Sequence, residues 1–389
     1  MQELLLLLLP VAAASGWWAA RSSARKEKKK YVGETDPVYF RGLNHLLNEE
    51  PDKAIDAFVE MLEVDSDTVE THLALGNLFR RRGEVERAIR IHQNLIARPA
   101  LTRDQRAQAL LELGQDYMRA GLFDRAENLF RELRETKLHV KPALKNLLVI
   151  YEKERDWQAC LEIAEQIESI TGDKMLLQKS HYHCELALAA KLAGRVSEAQ
   201  THLKRALNTY RGCVRANHLQ AQFAAAQGDY RSTVKILRQT ADQNADYLPE
   251  VLPDIVNGYR QLGELNDLRT YLAELAKAHP GAGAELVLAD LVKEQEGEDA
   301  AATFLVEHLT TAPSLPLLMR GIELNSRMAD GQSVRFLETL RPHIKRLLDD
   351  KPVYQCAQCG FAAKTLHWQC PSCRSWSTIK RRAVIEPEA

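Results

Sequence analysis

The segments DPVYFRGLNHLLNEEPDKAIDAFVEML (36–62), VETHLALGNLFRRRGEVERAIRIHQNLI (69–96) and QALLELGQDYMRAGLFDRAENLFREL (108–133) are variations on one pattern. Each carries a small residue, an aromatic residue or histidine three positions later, a turn, and an alanine twelve positions after the small residue. The pattern continues through ALKNLLVIYEKERDWQACLEIAEQI and CELALAAKLAGRVSEAQTHLKRAL, then ANHLQAQFAAAQGDYRSTVKILRQT, LPDIVNGYRQLGELNDLRTYLAEL and AELVLADLVKEQEGEDAAATFLVEHL, and in looser form to about residue 348. Turn glycines Gly83, Gly121, Gly194, Gly228, Gly263 and Gly297 recur at intervals near 34 residues or its multiples. A unit of this length is one supersecondary element that cannot bury its apolar face alone, so neighbouring units must stack.

The pattern resembles the tetratricopeptide repeat, two antiparallel helices joined by a tight turn. Small residues at Gly42, Gly76, Gly114, Ala187 and Ala221 allow close helix approach, and Ala54, Ala88, Ala126, Cys160 and Ala199 do the same on the second helix. Phe58, Phe79, Tyr117, Phe130, Tyr151 and Tyr259 are expected to fill the space between units. Cys160 occupies a small-residue slot and reads as core filler, as do Cys184 and Cys213. The loose pair at 315–348 reads as a cap, while LTRDQ (101–105) and SITGDKMLLQ (169–178) mark longer connections or extended helices. The charged stretches Arg80–Arg82 and Glu84–Arg87 read most simply as a solvated face, with the lining of a partner groove as the alternative. Stacked pairs of this kind make a right-handed superhelix whose concave face holds a partner's segment.

Near the end stands YQCAQCGFAAKTLHWQCPSCRSWS (354–377), with Cys356, Cys359, Cys370 and Cys373 as two C-x-x-C pairs ten residues apart. Each pair makes a tight turn whose sulfurs and backbone N–H groups converge, and two such knuckles supply tetrahedral four-sulfur coordination for one metal ion. Gly360 follows the first pair, where positive φ is needed, and Pro371 stiffens the second. The spacing resembles rubredoxin and zinc ribbons, and four sulfurs do not distinguish iron from zinc. Ten intervening residues allow a short β-hairpin, with Tyr354, Phe361, Trp368 and Trp376 as the aromatic core. About 25 residues cannot fold alone, but structural zinc supplies on the order of 10–16 kcal/mol.

The apolar run Leu4–Ala20 would span about 26 Å as a helix. Trp17 and Trp18 stand at its end, followed by Arg21, Arg25, Lys26, Lys28, Lys29 and Lys30. Cations on that side alone predict a single retained anchor with a cytoplasmic body rather than a cleaved signal peptide, whose charges precede the apolar run.

Lysine plus arginine number 52 against 53 acidic residues, so no basic excess points to nucleic acid. No phosphate-binding loop, dinucleotide fingerprint or hydrolase elbow is present, and no enzymatic activity is expected. His181 and His183 lie two apart on a helix, pointing about 200° from each other, and cannot share a metal. They read, like His45, His72 and His92, as packing or surface residues.

Anchor, repeats and terminal knuckles together resemble the lipopolysaccharide assembly protein B family of Gram-negative bacteria. The stretches ELLLLLLPVAAASGW, LALGNLFRRRGEVERAIRIHQNL (73–95), GQDYMRAGLFDRAENLF (114–130) and CPSCRSWSTIK (370–380) carry the resemblance. The expected fold is all-α, a tetratricopeptide-repeat superhelix with an N-terminal transmembrane helix and a small rubredoxin-like or zinc-ribbon module. Its parts are an anchor at 1–20, a basic linker at 21–36, a solenoid at 37–348, a metal module at 352–380 and a tail at 381–389. The resemblance implies an adaptor at the bacterial inner membrane. Such an adaptor promotes proteolysis of the lipid A-committing deacetylase by a membrane-bound AAA+ protease and answers to an inner-membrane lipopolysaccharide sensor. Lipopolysaccharide itself is a further candidate ligand. The metal module is expected to pack on the last helices and close the solenoid. Two alternatives stay open: a scaffold for lipopolysaccharide assembly or export enzymes, and an iron–four-sulfur electron carrier.

Overall fold

The computed structural model describes residues 37–381 apart from 49, 51–52, 56, 58–68, 282, 312, 329–331 and 351. The expected anchor at 1–20, the linker at 21–36, Phe58 and tail residues 382–389 lie outside the described residues. Among the described residues, no helix is long and apolar enough to cross a membrane.

Helices follow one another in pairs, as the repeats require. After α1 (Pro37–Leu47) come α2 (Val69–Arg82) and α3 (Val85–Ile96), then α4 (Arg103–Ala120) and α5 (Phe123–Glu135). Next are α6 (Val140–Glu154) and α7 (Trp157–Thr171), α8 (Leu176–Leu192) and α9 (Val196–Thr209), and α10 (Val214–Ala226) and α11 (Tyr230–Gln243). A 3-10 turn at Ala245–Tyr247 leads into α12 (Leu248–Leu262) and α13 (Leu265–Ala278). The last helices are α14 (Ala284–Glu296), α15 (Glu298–Thr311), α16 (Leu315–Met328) and α17 (Gln332–Asp350). The chain divides between Ile150 and Tyr151 into two compact units.

The turn glycines do what their spacing implies. Gly121 and Gly263 close their helices at φ 78° and 73°, a left-handed conformation that costs other residues about 1–2 kcal/mol. The small-residue slots are genuine close approaches. A Cβ on Gly76 would stand 2.4 Å from His92 Nε2, and one on Gly114 would stand 2.5 Å from the Phe130 ring. Ala54, Ala88, Ala126, Cys160 and Ala199 are fully buried, and Cys184 and Cys213 sit in a common apolar cluster. The lengthened connection at 101–105 is an N-terminal cap. The Thr102 side chain accepts from the Gln105 backbone N–H while Gln105 reaches back, completing a capping box for α4.

Arg80 departs from the expected solvated face. Its guanidinium reaches into the first unit to pair with Glu112 at 2.6 Å and Asp116 at 2.8 Å. Asp116 also accepts from His92 Nδ1 at 2.5 Å, and both side chains are fully buried. This Asp–His pair has no outlet for proton transfer to a ligand, because His92 Nε2 is buried and faces Gly76. Burying a carboxylate demands paired donors, and the arginine supplies them.

Candidate metal centre and its seat on the repeats

The last segment of the second unit forms a three-stranded antiparallel sheet in the order β2-β1-β3, from β1 (Tyr354–Cys356), β2 (Ala362–Ala363) and β3 (Ile379–Arg381). The ten residues between the cysteine pairs do not make the expected hairpin. Each knuckle is instead the turn of its own strand pair: β1 with β2 around the first, and a Gln369–Trp376 bridge around the second.

Both knuckles use the same backbone device. The Gly360 N–H donates to the Cys356 carbonyl at 2.9 Å, and the Arg374 N–H donates to the Cys370 carbonyl at 2.8 Å. Gly360 takes φ 76°, as its position predicts, while the equivalent place in the second knuckle is held by Arg374 at φ 62°. A non-glycine residue there is strained, and its side chain has a separate task described below.

The four sulfurs converge, all within 4.8 Å of one another. Cys356 and Cys373 are 3.7 Å apart across the knuckles, as are Cys359 and Cys370. A tetrahedron with metal–sulfur bonds of about 2.3 Å has edges of about 3.8 Å, so the set fits one zinc or iron ion. Burial works against the Cys356 thiolate, but the Thr378 hydroxyl and the N–H groups of Cys359 and Gln358 outweigh it and bring the thiol down to about 6. The inner apolar contacts are Cys356, Cys370 and Ile379, with Tyr354, Phe361 and Leu366 around them.

Trp368 and Trp376 are not in that inner core. They face the repeats. Trp376 stacks on His181 of α8 with ring centroids 4.7 Å apart and meets Trp157 of α7 and Tyr182 edge-on. Trp368 stacks on Tyr247 at 5.3 Å, with the Arg215 guanidinium 6.0 Å from its ring. The module is therefore seated against residues 152–250 rather than on the last helices, a correction to the expectation from sequence. The reason is chemical: this stretch offers buried aromatic rings and acceptors that match the module's two indoles.

Glu152, near the end of α6, organises the seat. Its carboxylate accepts from Trp376 Nε1 at 3.1 Å, Gln369 Nε2 at 3.0 Å, Arg374 at 3.4 Å and the Tyr182 hydroxyl at 2.7 Å. Only 9% of its side chain is exposed. One buried carboxylate thus has four donors, one of them cationic, which is what keeps its burial tolerable. His181 Nε2 lies 2.7 Å from Ser377 Oγ, and the Tyr247 hydroxyl donates to the Ser377 carbonyl. Tyr354 bonds Glu250, and Lys380 pairs with Asp246 at 2.5 Å. Burial, with the Arg215 guanidinium close by, pushes His181 down to about 3, so it docks as a neutral ring.

Glu152, His181, Tyr247 and Glu250 were not marked by sequence reasoning as site residues. The available signal was a surplus: two tryptophans beside the knuckles exceed what so small a module can enclose.

Both the terminal module and the repeats have counterparts among known proteins. A family described as the rubredoxin metal binding domain, a zinc ribbon, matches residues 354–381, and the tetratricopeptide repeat matches residues 71–107. Over 343 residues the chain is 39% identical to lipopolysaccharide assembly protein B of Escherichia coli strain K12, covering 88% of each. The chain belongs to the lipopolysaccharide assembly protein B family. The Haemophilus influenzae member is 37% identical over 351 residues, again at 88% of each chain. Among solved structures, the MamA protein aligns at 21% identity and a TM-score of 0.34, over 45% of this chain and 90% of that one.

Proposed function

We propose that this chain is an inner-membrane adaptor in lipopolysaccharide synthesis, with no catalytic activity of its own. It presents the lipid A-committing deacetylase to a membrane-bound AAA+ protease and answers to an inner-membrane lipopolysaccharide sensor. The observation that carries this reading is membership of the assembly protein B family over 88% of the chain. A body of stacked helical pairs supports it, because such repeats bind segments of partner proteins. Residues 1–20 anchor the chain, 21–36 link the anchor to a cytoplasmic body, 37–348 form the binding solenoid, 352–380 form the metal module, and 381–389 trail it. Confinement to the membrane raises the effective concentration of adaptor beside protease without any new contact. Cys356, Cys359, Cys370 and Cys373 act as ligands to a structural zinc or iron ion, which folds the module so that Trp376 and Arg374 can reach Glu152.

The test is the lifetime of the deacetylase in cells before and after depletion of this protein. The adaptor reading expects a several-fold longer half-life on depletion. An unchanged half-life would overturn it and favour a scaffold for lipopolysaccharide assembly or export enzymes, a reading in keeping with relatives named as lipopolysaccharide assembly proteins.

A further inference from the structure

The four cysteines of the metal centre are not equivalent. Cys356 and Cys370 are buried and Cys373 is intermediate, but Cys359 is exposed at the tip of the first knuckle. The other three cysteines, Cys160, Cys184 and Cys213, are all buried. Oxidation of a cysteine follows its thiolate character and its access to solvent, and a metal-binding thiolate is already deprotonated. Cys359 is the most accessible of the four. Its sulfur lies 3.7 Å from that of Cys370, on the opposite knuckle.

Cys370 is also the cysteine most directly tied to the seat on the repeats. Its carbonyl accepts from the N–H of Arg374, whose side chain reaches Glu152, and its N–H donates to Ser375, next to Trp376. A change at Cys370 therefore lies within a few bonds of the groups that hold the module to α6 and α8.

We infer that Cys359 is an oxidative modification site for hydroperoxide-class oxidants, and that its oxidation releases the module from the repeats. The Cys359 thiolate attacks the peroxide oxygen, the O–O bond breaks, and the products are a Cys359 sulfenic acid and hydroxide. The Cys370 thiolate then attacks the Cys359 sulfur, the S–O bond breaks, and a second hydroxide leaves. The two thiolates lose two electrons in total, and one peroxide is reduced to two hydroxides. The resulting Cys359–Cys370 disulfide leaves only Cys356 and Cys373 as metal ligands, one on each knuckle. Two ligands no longer fix both turns, and the second knuckle loses the geometry that aims Arg374 and Trp376 at Glu152. This inference rests on the four-cysteine metal site and is independent of the adaptor role.

The experiment uses the full chain loaded with zinc, its metal content measured before exposure to hydrogen peroxide. Released zinc, the identity of the oxidised cysteines by peptide mapping, and hydrogen exchange at residues 152–182 are followed together. The expected result is one zinc released per Cys359–Cys370 disulfide, several-fold faster exchange at 152–182, and no oxidation of Cys160, Cys184 or Cys213. Cys359→His, which retains four ligands without the exposed thiolate, is expected to keep its zinc and to resist peroxide at least tenfold longer. First oxidation at another cysteine, a Cys356–Cys359 disulfide, or zinc release with the module still protected would each overturn the inference. Absence of bound zinc at the outset would overturn the metal site itself.

Discussion

Gly76 and Gly114 show how much a single missing methyl group decides in this chain. At both positions a ring from the following helix, His92 or Phe130, occupies the space that a Cβ would fill. Gly76→Ala is expected to destabilise the first unit by about 1–3 kcal/mol, the usual cost of overpacking, read as a lower midpoint in urea unfolding. Gly83→Ala would test a different cause, since nothing lies within 4 Å of that position and its cost comes from φ 84° alone. At the seat of the module the deciding residue is His181. Its ordinary value is 6.5 and burial holds it at about 3 when folded. Between those values the unfolded chain binds a proton that the folded chain does not. Stability from this group is therefore full above 6.5 and falls as pH drops towards 3, by at most about 1.4 kcal/mol per pH unit. Urea unfolding at pH 7.5 and 5.5 is expected to show that loss, and His181→Gln is expected to show a smaller one. An equal loss in the variant would assign the dependence to other groups.

At the scale of elements, the repeats were legible because their chemistry recurs. Gly76 and Ala88 sit twelve residues apart, as do Gly114 and Ala126, and a packing rule used many times leaves a period that can be read. The knuckles were legible because four thiols at that spacing have few other uses. The seat was not, and the reason is that it is used once. Glu152, His181 and Tyr247 occupy positions where most units carry other residues, so no period marks them. The residues that complete them lie between 130 and 224 positions further along the chain. Arg80 misled for a related reason: a basic run after a helix looks solvated unless the acids that neutralise one member, Glu112 and Asp116, are known to face it. The second knuckle adds a detail that spacing alone does not supply. Arg374 accepts left-handed strain in the place where the first knuckle has glycine, and its side chain reaches Glu152.

At the scale of the whole molecule, the metal centre acts on residues far from it in sequence. Removing the ion by a strong chelator is expected to expose more than the module. Exchange protection should fall in β1 and β3 and also at 152–182 and 247–250, because those segments lose the rings and donors that cover them. Loss confined to 354–381 would mean that the seat holds without metal. The long span between Glu152 and Trp376 also sets an order of events during synthesis. The helical pairs close through near neighbours and can form as they emerge from the ribosome. Tyr182 supplies Glu152 with an early donor, but the donors on Gln369, Arg374 and Trp376 follow up to 224 residues downstream, roughly 10–45 s at about 5–20 residues per second. During that interval its carboxylate, Trp157 and Tyr182 form an uncovered polar-aromatic face, and a chain cut short before Cys370 never covers it. Completion of the metal module is thus recorded in the helices around Glu152, more than two hundred residues earlier in the chain.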